Sequence, residues 1–196
     1  MKTQLTNSLS TIFKSLCFVA ILSLGSCSDQ KAAAQKSTST QSKVKAPSVD
    51  IHTVVVTGNV EALKQHLAAG TNIDEKDPYG GSSPLISAAL FGKTEMAKIL
   101  IDAGADLNFQ NNDGSTALHT AAFFCRPEIV KLLLEKKADK TLKNKYSSTA
   151  YESVAGAFSD LKSTYEMMGK MLEPMGLKLD FAYIEKTRPV IASMLK

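Results

Sequence analysis

Ser83-Pro84-Leu85-Ile86-Ser87-Ala88-Ala89 and Thr116-Ala117-Leu118-His119-Thr120-Ala121-Ala122 are one phrase written twice, 33 residues apart. The residues downstream of each phrase repeat at the same offset. Glu95-Met96-Ala97-Lys98-Ile99-Leu100-Ile101 answers to Glu128-Ile129-Val130-Lys131-Leu132-Leu133-Leu134, and Ala103-Gly104-Ala105-Asp106 to Lys136-Lys137-Ala138-Asp139. An earlier copy lies 34 residues upstream, where Gly58-Asn59-Val60-Glu61 pairs with Gly92-Lys93-Thr94-Glu95 and Ala69-Gly70-Thr71-Asn72 with Ala103-Gly104-Ala105-Asp106. A partial fourth copy opens at Ser148-Thr149-Ala150-Tyr151. A fixed period of this length marks a stacked-repeat architecture.

The physics of one copy predicts a pair of helices. Leu85, Ala88 and Ala89, like Leu118, Ala121 and Ala122, recur at i, i+3 and i+4 and share a helix face. Ser83 and Thr116 stand where N-caps are expected. Pro84 and Pro127 sit near helix starts, where a missing N–H is harmless. Met96, Ile99 and Leu100, and Ile129, Leu132 and Leu133, form the stripe of a second helix. Gly70 and Gly104 come after these stripes, where left-handed C-caps belong. Asn112-Asp113-Gly114 signals a turn between copies. Small alanines let neighbouring pairs approach closely. Each pair has apolar flanks on both sides that only stacking can hide.

These residues resemble ankyrin repeats over roughly residues 49–156. The family pattern is a Gly, a Thr-Pro-Leu-His element, a double Ala, a Gly turn, an apolar second helix and Gly-Ala-Asp-Val-Asn. Here Ile86 replaces the usual His, Ala117 the usual Pro and Cys125 the usual Gly, and the first copy lacks its opening turn. The resemblance implies an all-α ankyrin-repeat solenoid of about three to four helix-turn-helix repeats with a helical C-terminal cap. It also implies structural roles for His119 and for His52, its counterpart in the first copy, in hydrogen bonds to neighbouring loops.

The chain divides as 1–26, 27–48, 49–156 and 157–196. Lys2 and Lys14 flank a short apolar run, Ser15 to Leu24, that suits a signal peptide better than a span. It ends in Leu24-Gly25-Ser26-Cys27, which is similar to a bacterial lipobox. That resemblance implies cleavage of a lipoprotein signal peptide before Cys27, lipidation of Cys27, and a chain anchored in the cell membrane or outer membrane and facing the periplasm. By resemblance to enterobacterial sorting, Ser28 rather than Asp after the Cys favours the outer membrane. Residues 27–48 are rich in Ser, Thr, Gln, Lys and Ala, and read as a flexible tether.

In 157–196, Leu161–Met171 reads as a helix ending near Gly176. Asp180 reads as the cap of a short helix to Ile184, and Thr187 as the cap of another, with Pro189 in its first turn. The solenoid needs such a segment to close its apolar end. Met167, Met171 and Met175 have helical spacing and read as adaptable core packing rather than a thioether copper site.

Charge narrows the function. The 196 residues carry a formal +4, but residues 49–196 hold 17 basic and 18 acidic side chains. That balance excludes a basic nucleic-acid footprint. The Lys136, Lys137, Lys140, Lys143, Lys145 run reads as a solvated edge. No sequence pattern of a metal site, phosphate loop or catalytic triad occurs around His52, His66 or His119, so no catalysis, metal or cofactor is expected. Cys125 is the one cysteine of the repeat region, so no disulfide can brace the repeats.

The expected activity is protein binding. By resemblance, the variable exposed positions are Tyr79, Gly80, Ser82, Asn112, Asp113 and Ser115 at loop tips, with Leu90-Phe91 and Phe123-Phe124 after each double Ala. Exposed aromatic pairs on one face would mark an interface. The protein thus reads as a membrane-tethered module for an unidentified protein partner in the bacterial cell envelope. The alternative is a periplasmic inhibitor or immunity protein that neutralises a toxic enzyme.

Overall fold

The computed structural model describes residues 45–196. The expected signal peptide, Cys27 and most of the expected tether lie outside the described residues. Within them, every regular element is helical: α1 (Ile51–Thr57), α2 (Val60–Ala68), α3 (Pro84–Phe91), α4 (Thr94–Asp102), α5 (Ala117–Phe123), α6 (Pro127–Glu135), α7 (Glu152–Ala155), α8 (Phe158–Leu172) and α9 (Phe181–Leu195), with a 3-10 turn at Glu173–Met175. No described helix is long and apolar enough to cross a membrane.

The helix starts arise from local chemistry. The Ser83 hydroxyl accepts from Ile86 N at 3.3 Å. At the next repeat the Thr116 hydroxyl accepts from His119 N, and His119 Nδ1 accepts from Thr116 N at 3.3 Å, a reciprocal cap. Thr149 and Glu152 form a similar pair: Thr149 N donates to Glu152 Oε2 at 2.7 Å and Glu152 N to Thr149 Oγ1 at 3.3 Å. Each cap satisfies donors that a helix start leaves orphaned.

Two layers of helices build the stack. The inner layer runs α1, α3, α5, α7; the outer runs α2, α4, α6, α9. Ala88, Ala89, Ala121 and Ala122 are completely buried between inner helices, and Leu63, Leu85, Leu100, Leu118 and Leu133 fill the space between layers. Any larger side chain at the alanines would push adjacent repeats apart.

The last repeat differs from expectation. Its outer helix is α9, which packs on α7 and α6 and brings Ile191 and Leu195 into the common core. Residues 156–180, including α8, are therefore an excursion inserted into the fourth hairpin. The two short helices expected around Thr187 are one continuous helix. Ile184, Thr187, Arg188, Ile191 and Leu195 give that helix an unbroken buried face, while Pro189 and Glu185 face solvent. Water can satisfy the Glu185 carbonyl that Pro189 deprives of a donor, so the break that proline would impose in a buried helix is avoided.

A second correction concerns the methionines. Met167, Met171 and Met175 are 62%, 63% and 51% exposed. Met167 and Met171 mark the outer face of α8, whose inner face is taken by Tyr165 and the half-buried Phe158 and Leu161, and Met175 lies beyond its end in the 3-10 turn.

Candidate protein-binding surface

Between repeats the chain makes projecting fingers, and hydrogen bonds join each to the next. Asn112 N donates to Gly80 O at 2.9 Å, and Lys145 N to Asp113 O at 2.8 Å. Side chains extend the ladder. Asp106 N donates to Asp74 Oδ1 at 3.1 Å and Asp139 N to Asn108 Oδ1 at 2.9 Å. The Gln110 amide donates to Gly114 O at 2.7 Å and to Lys143 O at 3.1 Å. At Gly114 the backbone has φ 72°, and a Cβ there would lie 3.2 Å from Asn144 Cα, so only glycine lets these fingers stack.

An Asx side chain braces each finger from within. Asp77 accepts from the backbone N–H groups of Tyr79, Gly80 and Ser82 at 2.6 to 2.8 Å. Asn111 accepts from Asp113 and Ser115, and Asn144 from Tyr146 and Ser148. Burial works to raise the Asp77 pKa, but the N–H donors outweigh it and hold the carboxylate below its ordinary value.

Rigid fingers fix what sits on their tips. Tyr79 is 90% exposed and Tyr146 is 73% exposed, with the exposed Asn112 and Asp113 on the finger between them. Ser82 and Ser115 lie half-buried at the finger bases, where the Asn144 amide reaches the Ser115 hydroxyl at 3.5 Å. The sequence alone did not single out Tyr146, although its position, 33 residues after Asp113, places it in the same finger register.

The histidines support this surface. His119 Nε2 lies 3.0 Å from Ser148 O and its Nδ1 2.9 Å from Thr116 Oγ1. Burial lowers the His119 pKa, and hydrogen bonds to Ser148 and Leu142 carbonyls offset only part of that. His52 bridges Glu75 O at 2.9 Å and Ser87 Oγ at 3.2 Å. His66 is buried between Val49 O at 2.8 Å and Thr71 Oγ1 at 3.0 Å. Among the described residues, no three His, Cys, Asp or Glu side chains converge on a point where a metal could sit.

The aromatic pairs are placed differently from expectation, and the inserted segment is the reason. Phe124 is only 4% exposed. Phe123 is half-buried, stacked on Tyr165 of α8 with ring centroids 4.5 Å apart and edge-on to Phe124 at 5.1 Å. The Tyr165 hydroxyl donates to Phe123 O at 2.7 Å and accepts from Arg188 Nη1 at 2.8 Å. Arg188, itself buried, also donates to Gly156 O at 3.1 Å. Leu90 and Phe91 are half-buried; Arg126 Nη2 donates to Leu90 O at 3.3 Å, and Phe91 faces the turn after α8. Phe123 and Phe124 therefore do not form a free docking patch: this chain's own α8 covers the end of α5.

A family model of ankyrin repeats matches residues 51–144 in three copies. The human DNA-binding protein RFXANK is 39% identical over 59 residues, 30% of this chain and 23% of that protein. Protein phosphatase 1 regulatory subunit 27, from human and mouse, is 36% identical over 64 residues, 33% of this chain and 41% of those. The chain thus spans less than half the length of these curated relatives. The crystal structure of the ankyrin repeat domain of Bcl-3, a member of the IkappaB family, superposes with a TM-score of 0.51 at 34% identity, over 53% of this chain and 45% of that one. Sequence and fold agree that residues 51–144 are ankyrin repeats.

Proposed function

We propose that this chain is a membrane-tethered ankyrin-repeat module that holds a protein partner in the bacterial cell envelope, with no chemistry of its own. The observation that carries the reading is the pair Tyr79 and Tyr146, displayed on fingers whose backbones are cross-bonded. Tyrosine offers large contact area with few rotors to freeze, and a pre-ordered support lowers the entropy cost of docking. Asn112 and Asp113 between them, with Ser82 and Ser115 at the bases and Leu90 on the inner layer, add polar and apolar contacts. The word DNA in the name of one relative describes that protein; here the near-neutral charge of residues 49–196 supports a protein ligand.

The test uses a photo-crosslinker placed at Tyr79 or Tyr146 and, as control, at Met167 on the outer face of α8. In native membranes the finger positions are expected to trap one discrete partner that Met167 does not. Tyr79→Ala with Tyr146→Ala should abolish the adduct with helicity unchanged, and Cys27→Ser should move the protein out of the membrane fraction. Equal crosslinking from Met167, or from the double variant, would remove the finger surface from consideration. A membrane-bound Cys27→Ser protein would remove the lipid anchor.

A further inference from the structure

At the opposite end of the hairpins from the fingers, the inner helices hand over to the outer ones. There the turn after α8 folds back across the turns of the first three repeats and encloses a groove of about 350 Å³ lined by Val56, Phe91, Lys93, Arg126, Met175 and Lys178, among others. Three of these side chains are cations, and no carboxylate lines the groove. Among the described residues, none of the three is within salt-bridge reach of an acidic group.

Two of them belong to helix starts that no side chain caps: Lys93 and Arg126 are the N-cap residues of α4 and α6. The equivalent residue of the first repeat is Asn59, which caps α2 by accepting from Ala62 N at 3.0 Å. A helix N-terminus carries partial positive charge and favours anions. The Lys93 ammonium reaches back toward Gly58 and the Arg126 guanidinium packs on Gly92, the turns that end α1 and α3, where the partial negative charge of a helix C-terminus favours a cation. The inserted turn adds Lys178 to the same groove. The Arg126 guanidinium is held in place: Nη2 donates to Leu90 O, and Nε is enclosed with no hydrogen-bond partner. A Cβ on Gly92 would come within 3.0 Å of that Nε, so the guanidinium is packed down on the turn. Burial accordingly pulls the Arg126 pKa below its ordinary value. Glu95 and Glu128, in the first turns of α4 and α6, are exposed and do not line the groove.

We infer that this groove is a binding site for a small phosphate-bearing ligand, whose dianion would offset Lys93, Arg126 and Lys178 together. A planar monoanionic carboxylate would leave most of the charge unmatched. A phosphate offers oxygens to the free Nη1 of Arg126 and to both ammonium groups. The apolar side formed by Val56, Phe91 and Met175 gives the remainder of the ligand a place to lie.

The test is a titration of the full chain in detergent micelles with inorganic phosphate, monitored by amide NMR at constant ionic strength. Saturable shifts are expected at the amides of 92–96, 126, 128 and 129. Lys93→Gln with Lys178→Gln should weaken binding by at least about tenfold, since close cations dominate such a site. Lys143→Gln with Lys145→Gln, on the fingers, should leave it unchanged. Arg126→Gln should also lose binding, and if that variant unfolds, the Lys93 and Lys178 pair still decides. Shifts that chloride reproduces, that never saturate, or that the finger variant reduces equally would overturn the assignment. Binding only to phosphatidate vesicles and not to free phosphate would overturn the small ligand.

Discussion

At Cys125 the backbone has φ 53°, in the left-handed region that Gly58 and Gly92 occupy at the same turn of the first two repeats. The sequence announced this strain, because a cysteine stands where the repeat calls for glycine. It did not announce what keeps the cysteine there. The side chain is fully buried against Tyr165 and Ile184, and its Sγ donates to Ile184 O at 3.7 Å. Cys125→Gly would relieve about 1 kcal/mol of backbone strain and lose roughly 1 kcal/mol of burial. Its urea midpoint should therefore fall close to the parent's. Cys125→Val keeps the strain and adds β-branching, so it should cost at least about 2 kcal/mol. Burial pushes the thiol up to about 11, with Arg188 and Arg126 pulling it only partly back, so alkylation at neutral pH should report unfolding rather than surface reactivity. His119 gives a prediction in pH. Its folded-state pKa lies below the ordinary 6.5, so the unfolded chain takes up protons first as pH falls. The stability it contributes is complete above 6.5 and is lost as pH drops below that value. His119→Asn should flatten the slope of unfolding free energy between pH 6.5 and 5, measured by denaturant titration; an unchanged slope would contradict the assignment.

Among elements, the helices of the first three repeats were legible and the inserted segment was not. Leu85 with Ala88 and Ala89, and Leu118 with Ala121 and Ala122, declare both helix and buried face, because stacking leaves those positions one role. Residues 156–180 have no internal copy to compare with, so periodicity could show that α8 is a helix but not which face it buries. That is why Met167, Met171 and Met175 looked like packing and turned out exposed, and why Phe123 looked exposed and turned out covered. Pro189 misled for a related reason: the chain alone does not say that its side of α9 faces water. The latch that holds α8 down is Tyr165. Tyr165→Phe keeps the ring stack on Phe123 but strips a partner from both Phe123 O and Arg188, which should cost about 1–3 kcal/mol. Hydrogen exchange in that variant should rise across 158–178 and change little in α3 and α4. Uniform change across the stack would mean that α8 is not separately latched.

Across the described residues the core is strung along a row of interfaces between neighbouring repeats, and its stability adds up along the row. Damage should depend on where in the row it falls. Leu118→Ala, with repeats on both sides, should cost about 2–5 kcal/mol and lower the single unfolding transition. Ile191→Ala, in the terminal helix, should cost less in the main transition and instead broaden it by releasing α9 first. Coincident, equally sharp transitions by circular dichroism for both variants would show that the row unfolds as one unit. The finger tyrosines belong to this scale as well: their separation spans two repeats, and the sequence lacked the aromatic pair as a signal because Tyr79 and Tyr146 are not neighbours in the chain.

The detour inside the fourth hairpin also sets an order of assembly. α3 and α4 meet across Gly92 and Lys93, whereas α7 finds α9 only after residues 156–180 have looped out. For a flexible chain the longer closure is worse by roughly 2 kcal/mol before α8 adds any order. The first three pairs can therefore zip up as soon as they exist, and the fourth must wait for a distant strip of sequence to return. During that wait the outer flank of α6 lies bare, a sticky interval in which a chaperone, or a neighbouring copy of the same chain, has its best chance to intervene.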